Sequence, residues 1–324
     1  MGRVYARDLA SRVPRTTLAA VADTDAAAAE EVAGEWDVPR WYPEPEALLD
    51  DPGVDAVVIV SPTHTHRPLA IASLRRGKPT FCEKPPALSL GETAELEREV
   101  TRSGAFFQMG LMRRFDAGYA AAWKQVQDGV IGVPVVFKSS SRDPRRTSLE
   151  YADPRKSGGM ILDMGIHDFD LARFFMGEVK AVQTVAGTLA YPELETVGDI
   201  DNAVVSLEFA DGRLGVVDLS RNGIYGYDIS TELLGTAGTL RIGYLRETPL
   251  LVMTANSVAH DTVPYFMERF AGAYTAQLQD FADAVLTGRP PSITIDDGLA
   301  VMRIAIAATR ACQTGQPVEV ASVE

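Results

Sequence analysis

The chain has 324 residues, 46% of them hydrophobic, a formal net charge of −13 and only two cysteines. Such acidity disfavours nucleic-acid backbones and anionic membrane surfaces as partners, and Cys82 and Cys312 are too few for a disulfide framework or a cysteine-built zinc site. His64, His66, His167 and His260 form no H-E-x-x-H pair, so no metal is expected. The length suits two domains. No apolar run approaches the roughly eighteen residues of a membrane span, and the first residues have no apolar signal core. The reading is a cytoplasmic protein.

In chain order, residues 3–11 read as a helix and Thr16 to Asp23 as a buried strand ended by an acid. Residues 25–36 are Ala/Glu-rich and helical, with Thr24 as N-cap. Val54 to Val60 is a β-branched run of the kind buried on both faces of a parallel sheet. A helix over 68–76, a strand over 79–83, a helix over 89–103 capped by Ser89 and a strand over 105–109 follow. Strand–helix alternation with short connections predicts a doubly wound parallel sheet.

After Met112 the pattern changes. A helix over 115–128 and a strand over 133–141 lead to a Gly-rich turn at Ser157 to Gly159 and a helix from Ile161 to Phe175. Strands over 181–189, 202–209, 213–220, 228–234 and 239–242 come next, with Asp211-Gly212 marking a hairpin. Helices over 265–286 and 296–313 close the chain. The fold class is α/β: a Rossmann-type dinucleotide-binding domain over 1–112, and an α+β substrate-binding and oligomerisation domain over 113–324 built on a large, mostly antiparallel sheet.

The Rossmann domain lacks its expected opening. A first strand and G-x-G-x-x-G should precede the first helix, yet the chain passes from Met1-Gly2 directly into it, leaving Gly2 as the third glycine of that fingerprint. The loss would expose strand edges and remove phosphate-binding amides. The expectation is therefore an internal or truncated start and weak NAD binding or low stability.

Phe81-Cys82-Glu83-Lys84-Pro85, combined with Gly158-Gly159 through Asp163 to His167-Asp168, resembles the E-K-P and G-G-x-x-x-D-x-x-x-H motifs of the Gfo/Idh/MocA oxidoreductases. Met112 to Asp116, Tyr225 to Asp228 and Pro264 to Tyr274 look most like the inositol 2-dehydrogenases of that family. The resemblance implies transfer of a hydride from a ring secondary alcohol of a polyol or sugar to NAD. It also implies a cis bond before Pro85, a homodimer or homotetramer built through the C-terminal sheet, and a loop Ser61-Pro62-Thr63-His64-Thr65-His66 beside the nicotinamide. Rival readings are a pyranose or levoglucosan-type dehydrogenase, a non-catalytic cofactor-sensing regulator and an inactive relic.

The chemistry needs a base for the hydroxyl proton. His167 suits it, and Asp163, four residues earlier on the expected helix, shares its face and can orient the ring. The bland alternative is a helix histidine satisfied by Asp168 or Asp170. Lys84 can stabilise charge on the substrate oxygen, or be a solvated lysine at a strand end; Pro85 holds its backbone extended. Asp23 can accept both ribose hydroxyls, favouring NAD over NADP, or serve a helix N-terminus, as Asp25 can. Gly2, Asp23, Ser61, Pro62, Thr63, His66, Glu83 and Lys84 are thus the cofactor candidates. Arg114, Tyr227 and, in reserve, Tyr225 are substrate contacts by resemblance, with one tyrosine facing outward if 225–228 is a strand.

Overall fold

In the computed structural model, which describes residues 1–323, the chain divides into two compact units. Met1–Met112 and Gly272–Leu299 form the first; Arg113–Ala271 and the chain from Ala300 onward form the second.

The first unit runs α1 (Gly2–Ser11), β1 (Val21–Ala22), α2 (Ala26–Glu35), β2 (Trp41–Tyr42), α3 (Pro45–Asp50), β3 (Val57–Ile59), α4 (His66–Arg75), β4 (Thr80–Glu83), α5 (Leu90–Ser103) and β5 (Phe107–Gly110). Every pairing is parallel, but the strands form two separate ladders, β1-β2 and β3-β4-β5. Ser89 caps α5 by accepting from the Glu92 amide at 3.3 Å. The cap of α2 differs from the expected Thr24: Asp25 accepts from the Ala27 and Ala28 amides, because the helix begins one residue later. Residues 272–299 return to this unit, where Phe281 meets Phe81 edge-on with ring centroids 5.8 Å apart.

The strand expected over Thr16 to Asp23 shrinks to two residues, and the physical reason is visible beside it. A cavity of about 820 Å³, lined by Ala20, Ala22, Ala56, Val58 and Val60 among others, lies against both β1 and β3. The amides of Val21 and Asp23 turn towards the β2 segment, and that of Val57 turns towards the segment leading into β4. Successive peptide groups in a strand point to opposite edges, so those of Ala22 and Val58 face the cavity. No described strand lies there to pair with them. β1 consequently has one ladder where a central strand has two.

The second unit contains α6 (Ala117–Gln127), β6 (Pro134–Arg142), α7 (Leu149–Ala152), α8 (Pro154–Ser157), α9 (Gly159–Asp163), α10 (Ile166–Met176), β7 (Val179–Gly187), β8 (Asn202–Phe209), β9 (Leu214–Ser220), β10 (Asp228–Gly235), β11 (Thr239–Ile242), β12 (Val252–Met253) and β13 (Val258–Ala259). α11 (Phe266–Thr287) and α12 (Ile295–Thr314) each begin in one unit and end in the other, before β14 (Val318–Glu319). Seven strands form one sheet in the order β11-β10-β6-β9-β8-β7-β14, antiparallel except for β6-β9. The hairpin expected at Asp211-Gly212 joins β8 to β9, with Gly212 at φ +86°. Along β8, Ala203, Val205, Leu207 and Phe209 are buried while Val204, Ser206 and Glu208 are exposed, the period-two signature of a sheet with one covered face. α10 packs on β6 and β9 from the covered side; the other side leaves Val185, Val204 and Leu214 in the open.

Two expected elements change. The helix from Ile161 to Phe175 is divided into α9 and α10 at Met164-Gly165, where the backbone stays in the right-handed helical region. A Cβ on Gly165 would lie 2.4 Å from the Ile161 carbonyl oxygen, so this close approach needs glycine. The second change is at Tyr225 and Tyr227, which precede β10 and lie outside a strand.

The cavity yields a test. An alternating apolar peptide of about six residues, added in trans, should enter it as a parallel strand and raise Tm by about 5 °C or more. A Tm unchanged or lowered in differential scanning calorimetry would show that the cavity does not accept a strand.

Candidate active site

In the first unit, Asp23, Ser61 to Thr63 and Lys84 follow the carboxyl ends of β1, β3 and β4, the edge at which open parallel sheets bind ligands. Lys84-Pro85 is cis, as the resemblance implied. The residue before it is heavily engaged. Buried Glu83 accepts from the Tyr5 hydroxyl, from Gln277 Nε2 at 3.3 Å and from the Lys84 amide at 3.0 Å. A Cβ at Gly110 would come 2.8 Å from the same carboxylate. His66 is also buried; its Nδ1 lies 2.7 Å from the Pro85 carbonyl and its Nε2 2.8 Å from that of Ser61. The ring thereby ties the turn after β3 to the turn after β4. Asp23 is exposed, and its carboxylate accepts from the Asp25 amide at 2.9 Å.

Gly2 opens α1 with nothing within 4 Å of the position a Cβ would take, so a phosphate can approach the helix-start amides. Asp23 presents an exposed acceptor at a strand end, which suits ribose hydroxyls. The donor set fits NAD.

In the second unit the two motif glycines adopt left-handed backbone, Gly158 at φ +84° and Gly159 at φ +79°. That pair of conformations turns the chain from α8 into α9. The Met160 amide at the start of α9 donates to Asp199 Oδ1 at 2.9 Å. Burial raises the Asp199 carboxyl above the usual carboxylate range. Asp163, the last residue of α9, accepts from the Tyr151 hydroxyl at 3.0 Å on Oδ1 and from Arg221 Nη2 at 3.1 Å on Oδ2. His167 lies in the first turn of α10 and is buried.

The residues flanking His167 carry the docking of α10. Asp168, fully buried, accepts from Arg113 Nη1 at 2.8 Å and from the hydroxyls of Ser139 and Ser141 on β6. Asp170 holds Arg114 through its Nε, at 3.1 and 3.0 Å, and through Nη2, and the Arg114 guanidinium stacks 5.0 Å above Phe174. Tyr227 is buried against Tyr265 and Phe270, and burial pushes its hydroxyl upward. Tyr225 is exposed; its hydroxyl accepts from Arg142 Nη1 at 3.2 Å and donates to Asp228 at 2.9 Å.

Sequence reasoning missed Tyr151, Asp199 and Arg221. Nothing in their local sequence marks them, because they reach Asp163 and Met160 from separate segments of the chain.

A domain with parallel strands meeting a cofactor-fitting edge, followed by a domain with a buried histidine near an anchored aspartate, is the build of a nicotinamide-dependent oxidoreductase. Residues 1–111 match the oxidoreductase family described as NAD-binding Rossmann fold, and residues 123–320 match the oxidoreductase family C-terminal alpha/beta domain. The chain belongs to the Gfo/Idh/MocA oxidoreductase family. Among its relatives, scyllo-inositol 2-dehydrogenase (NAD(+)) of Bacillus subtilis is 38% identical, covering 98% of this chain and 93% of the relative. Myo-inositol 2-dehydrogenase of Thermotoga maritima is 35% identical, covering 100% and 96%. The crystal structure of scyllo-inositol dehydrogenase from Lactobacillus casei with bound NAD(H) and scyllo-inositol superposes with a TM-score of 0.94 at 30% identity, covering 99% and 96%. Among the described residues, no helix is long and apolar enough to cross a membrane.

Breaking the buried Arg113–Asp168 pair from one side strands a charge. Asp168→Ala is expected to cost about 3–5 kcal/mol in urea unfolding; a loss below about 1 kcal/mol would contradict the docking role given to Asp168.

Proposed function

We propose that this chain oxidises a ring secondary alcohol of an inositol to the ketone with NAD as hydride acceptor. The observation that carries the reading is the joint presence of the E-K-P and G-G-x-x-x-D-x-x-x-H motifs in a chain that aligns over 98% of its length with a scyllo-inositol 2-dehydrogenase (NAD(+)) and over 100% with a myo-inositol 2-dehydrogenase. His167 takes the hydroxyl proton, Asp163 orients the imidazole, and Lys84 stabilises negative charge on the oxygen. NAD, when bound, supplies the nicotinamide carbon that receives the hydride. Gly2 and Asp23 hold its phosphates and ribose; Ser61, Pro62 and Thr63 line its nicotinamide half; His66 and Glu83 hold the turns that carry these contacts and Lys84. Asp23 favours NAD because an extra ribose phosphate would meet its charge. Arg114, held by Asp170, and Tyr227 read substrate hydroxyls, with Tyr225 at the rim.

The open face of the seven-stranded sheet supports a homo-oligomer, since Val185 is 73% and Val204 46% exposed on adjacent strands. Two free cysteines and an acidic surface suit a reducing cytoplasm.

A panel of inositols, other polyols and pyranoses, followed by NADH absorbance, tests the substrate class. Turnover is expected with an inositol, and Lys84→Ala and His167→Ala should each lower kcat roughly a hundredfold or more. Oxidation of pyranoses alone, or near-normal rates in both variants, would overturn the assignment. Val185→Glu with Val204→Glu should convert the oligomer to monomer in analytical ultracentrifugation; an unchanged sedimentation coefficient would remove this face from the assembly.

A further inference from the structure

The second unit holds a buried cation that none of the motifs explains. Arg221 follows β9 directly and its side chain is fully buried. Its backbone amide donates to the Asp201 carbonyl at 2.8 Å. Asp201 in turn gathers the amides of Leu189, Ala190 and Tyr191 at 2.6–2.8 Å, so the turn that carries Arg221 is pinned. The guanidinium Nη2 donates to Asp163, whereas Nε and Nη1 have no partner among the described residues. A buried guanidinium with unmet donors is costly. Packing alone does not explain the pair, since well-packed apolar groups in place of both charges are often no less stable. What it does achieve is specific: it grips one oxygen of the Asp163 carboxylate.

Tyr151 grips the other. It stands on α7, far from Arg221 in the chain, and reaches Oδ1 from the exposed side. With a donor on each oxygen, the carboxylate plane is fixed and it cannot rotate about its terminal torsion. The guanidinium also draws off part of the carboxylate's charge. A bare carboxylate would hold a protonated imidazole tightly; one shared with Arg221 still orients the ring but lets it return its proton in each cycle.

We propose that Arg221 and Tyr151 are positioning residues that clamp Asp163 from two sides and so set the orientation and basicity of His167. The proposal rests on the reading of Asp163 and His167 given above. It assigns no substrate contact to either residue.

A double-mutant cycle tests it, with kcat and KM measured on the full-length enzyme and NAD. Tyr151→Phe removes one hydroxyl at an exposed site and should leave the fold intact. It is expected to lower kcat about tenfold with KM for NAD unchanged within about twofold, while in an Asp163→Asn background the same change should cost less than about twofold. Arg221→Lys, which keeps the charge, should retain several times more activity than Arg221→Met, with melting temperatures checked for both. Equal losses from Tyr151→Phe with and without Asp163, or no loss in either background, overturns the clamp. If Asp163→Asn and His167→Ala collapse the rate while Tyr151→Phe and Arg221→Met do not, the clamp alone fails. If Asp163→Asn leaves the rate near normal, the reading of Asp163 falls and the clamp falls with it.

Discussion

Asp168 imposes the constraint from which the second unit follows. It sits at zero exposure in the first turn of α10, so its charge has to be met on the spot or the helix cannot dock. Arg113 and two serine hydroxyls of β6 meet it. This fixes α10 against the sheet in one rotation. Because His167 is its chain neighbour, the same contact sets where the imidazole stands. Asp170 and Arg114 repeat the device two residues on, with the arginine held by both oxygens of the carboxylate. Three carboxylates within eight residues thus have different duties: Asp163 faces Tyr151 and Arg221, Asp168 anchors the helix, and Asp170 orients Arg114.

The first unit is governed by a different requirement. Parallel strands are stable when both edges are paired and both faces are covered. β1 and β3 satisfy this on one edge each and meet a cavity on the other. The turn after β4 has contacts of its own. Glu83 draws on Tyr5 of α1, Gln277 of α11 and the Lys84 amide, and His66 ties Pro85 to Ser61. Two side chains taken at first sight for cofactor contacts have their polar atoms occupied inside the protein. They hold the turns on which Ser61 and Lys84 stand.

Legibility in the sequence followed how local the cause was. The parallel strands, the capped helix at Ser89 and the hairpin at Asp211-Gly212 were readable because burial patterning and turn chemistry act over a few residues. The motif glycines were readable as motif, and the structure supplies their cause in two successive left-handed conformations. The continuous helix from Ile161 to Phe175 was misread because helical periodicity runs straight through Gly165, while the division there comes from packing of Ile161 and Phe169 around it. Residue type makes Thr24 a plausible cap, but Asp25 caps the helix, because the position of the first helical turn decides the cap and residue type does not fix it.

By itself, the sequence determined the family, the two-domain plan, the nicotinamide chemistry and the candidates Lys84, Asp163 and His167. Those depend on residue identity at fixed spacing along the chain. Only the tertiary structure decided that Asp163 is held by Tyr151 and Arg221, that Glu83 is buried among Tyr5 and Gln277, and that residues 272–299 return to the first unit. Each joins segments far apart in the chain, and a contact whose partners share no local pattern exists only once both have been folded into place.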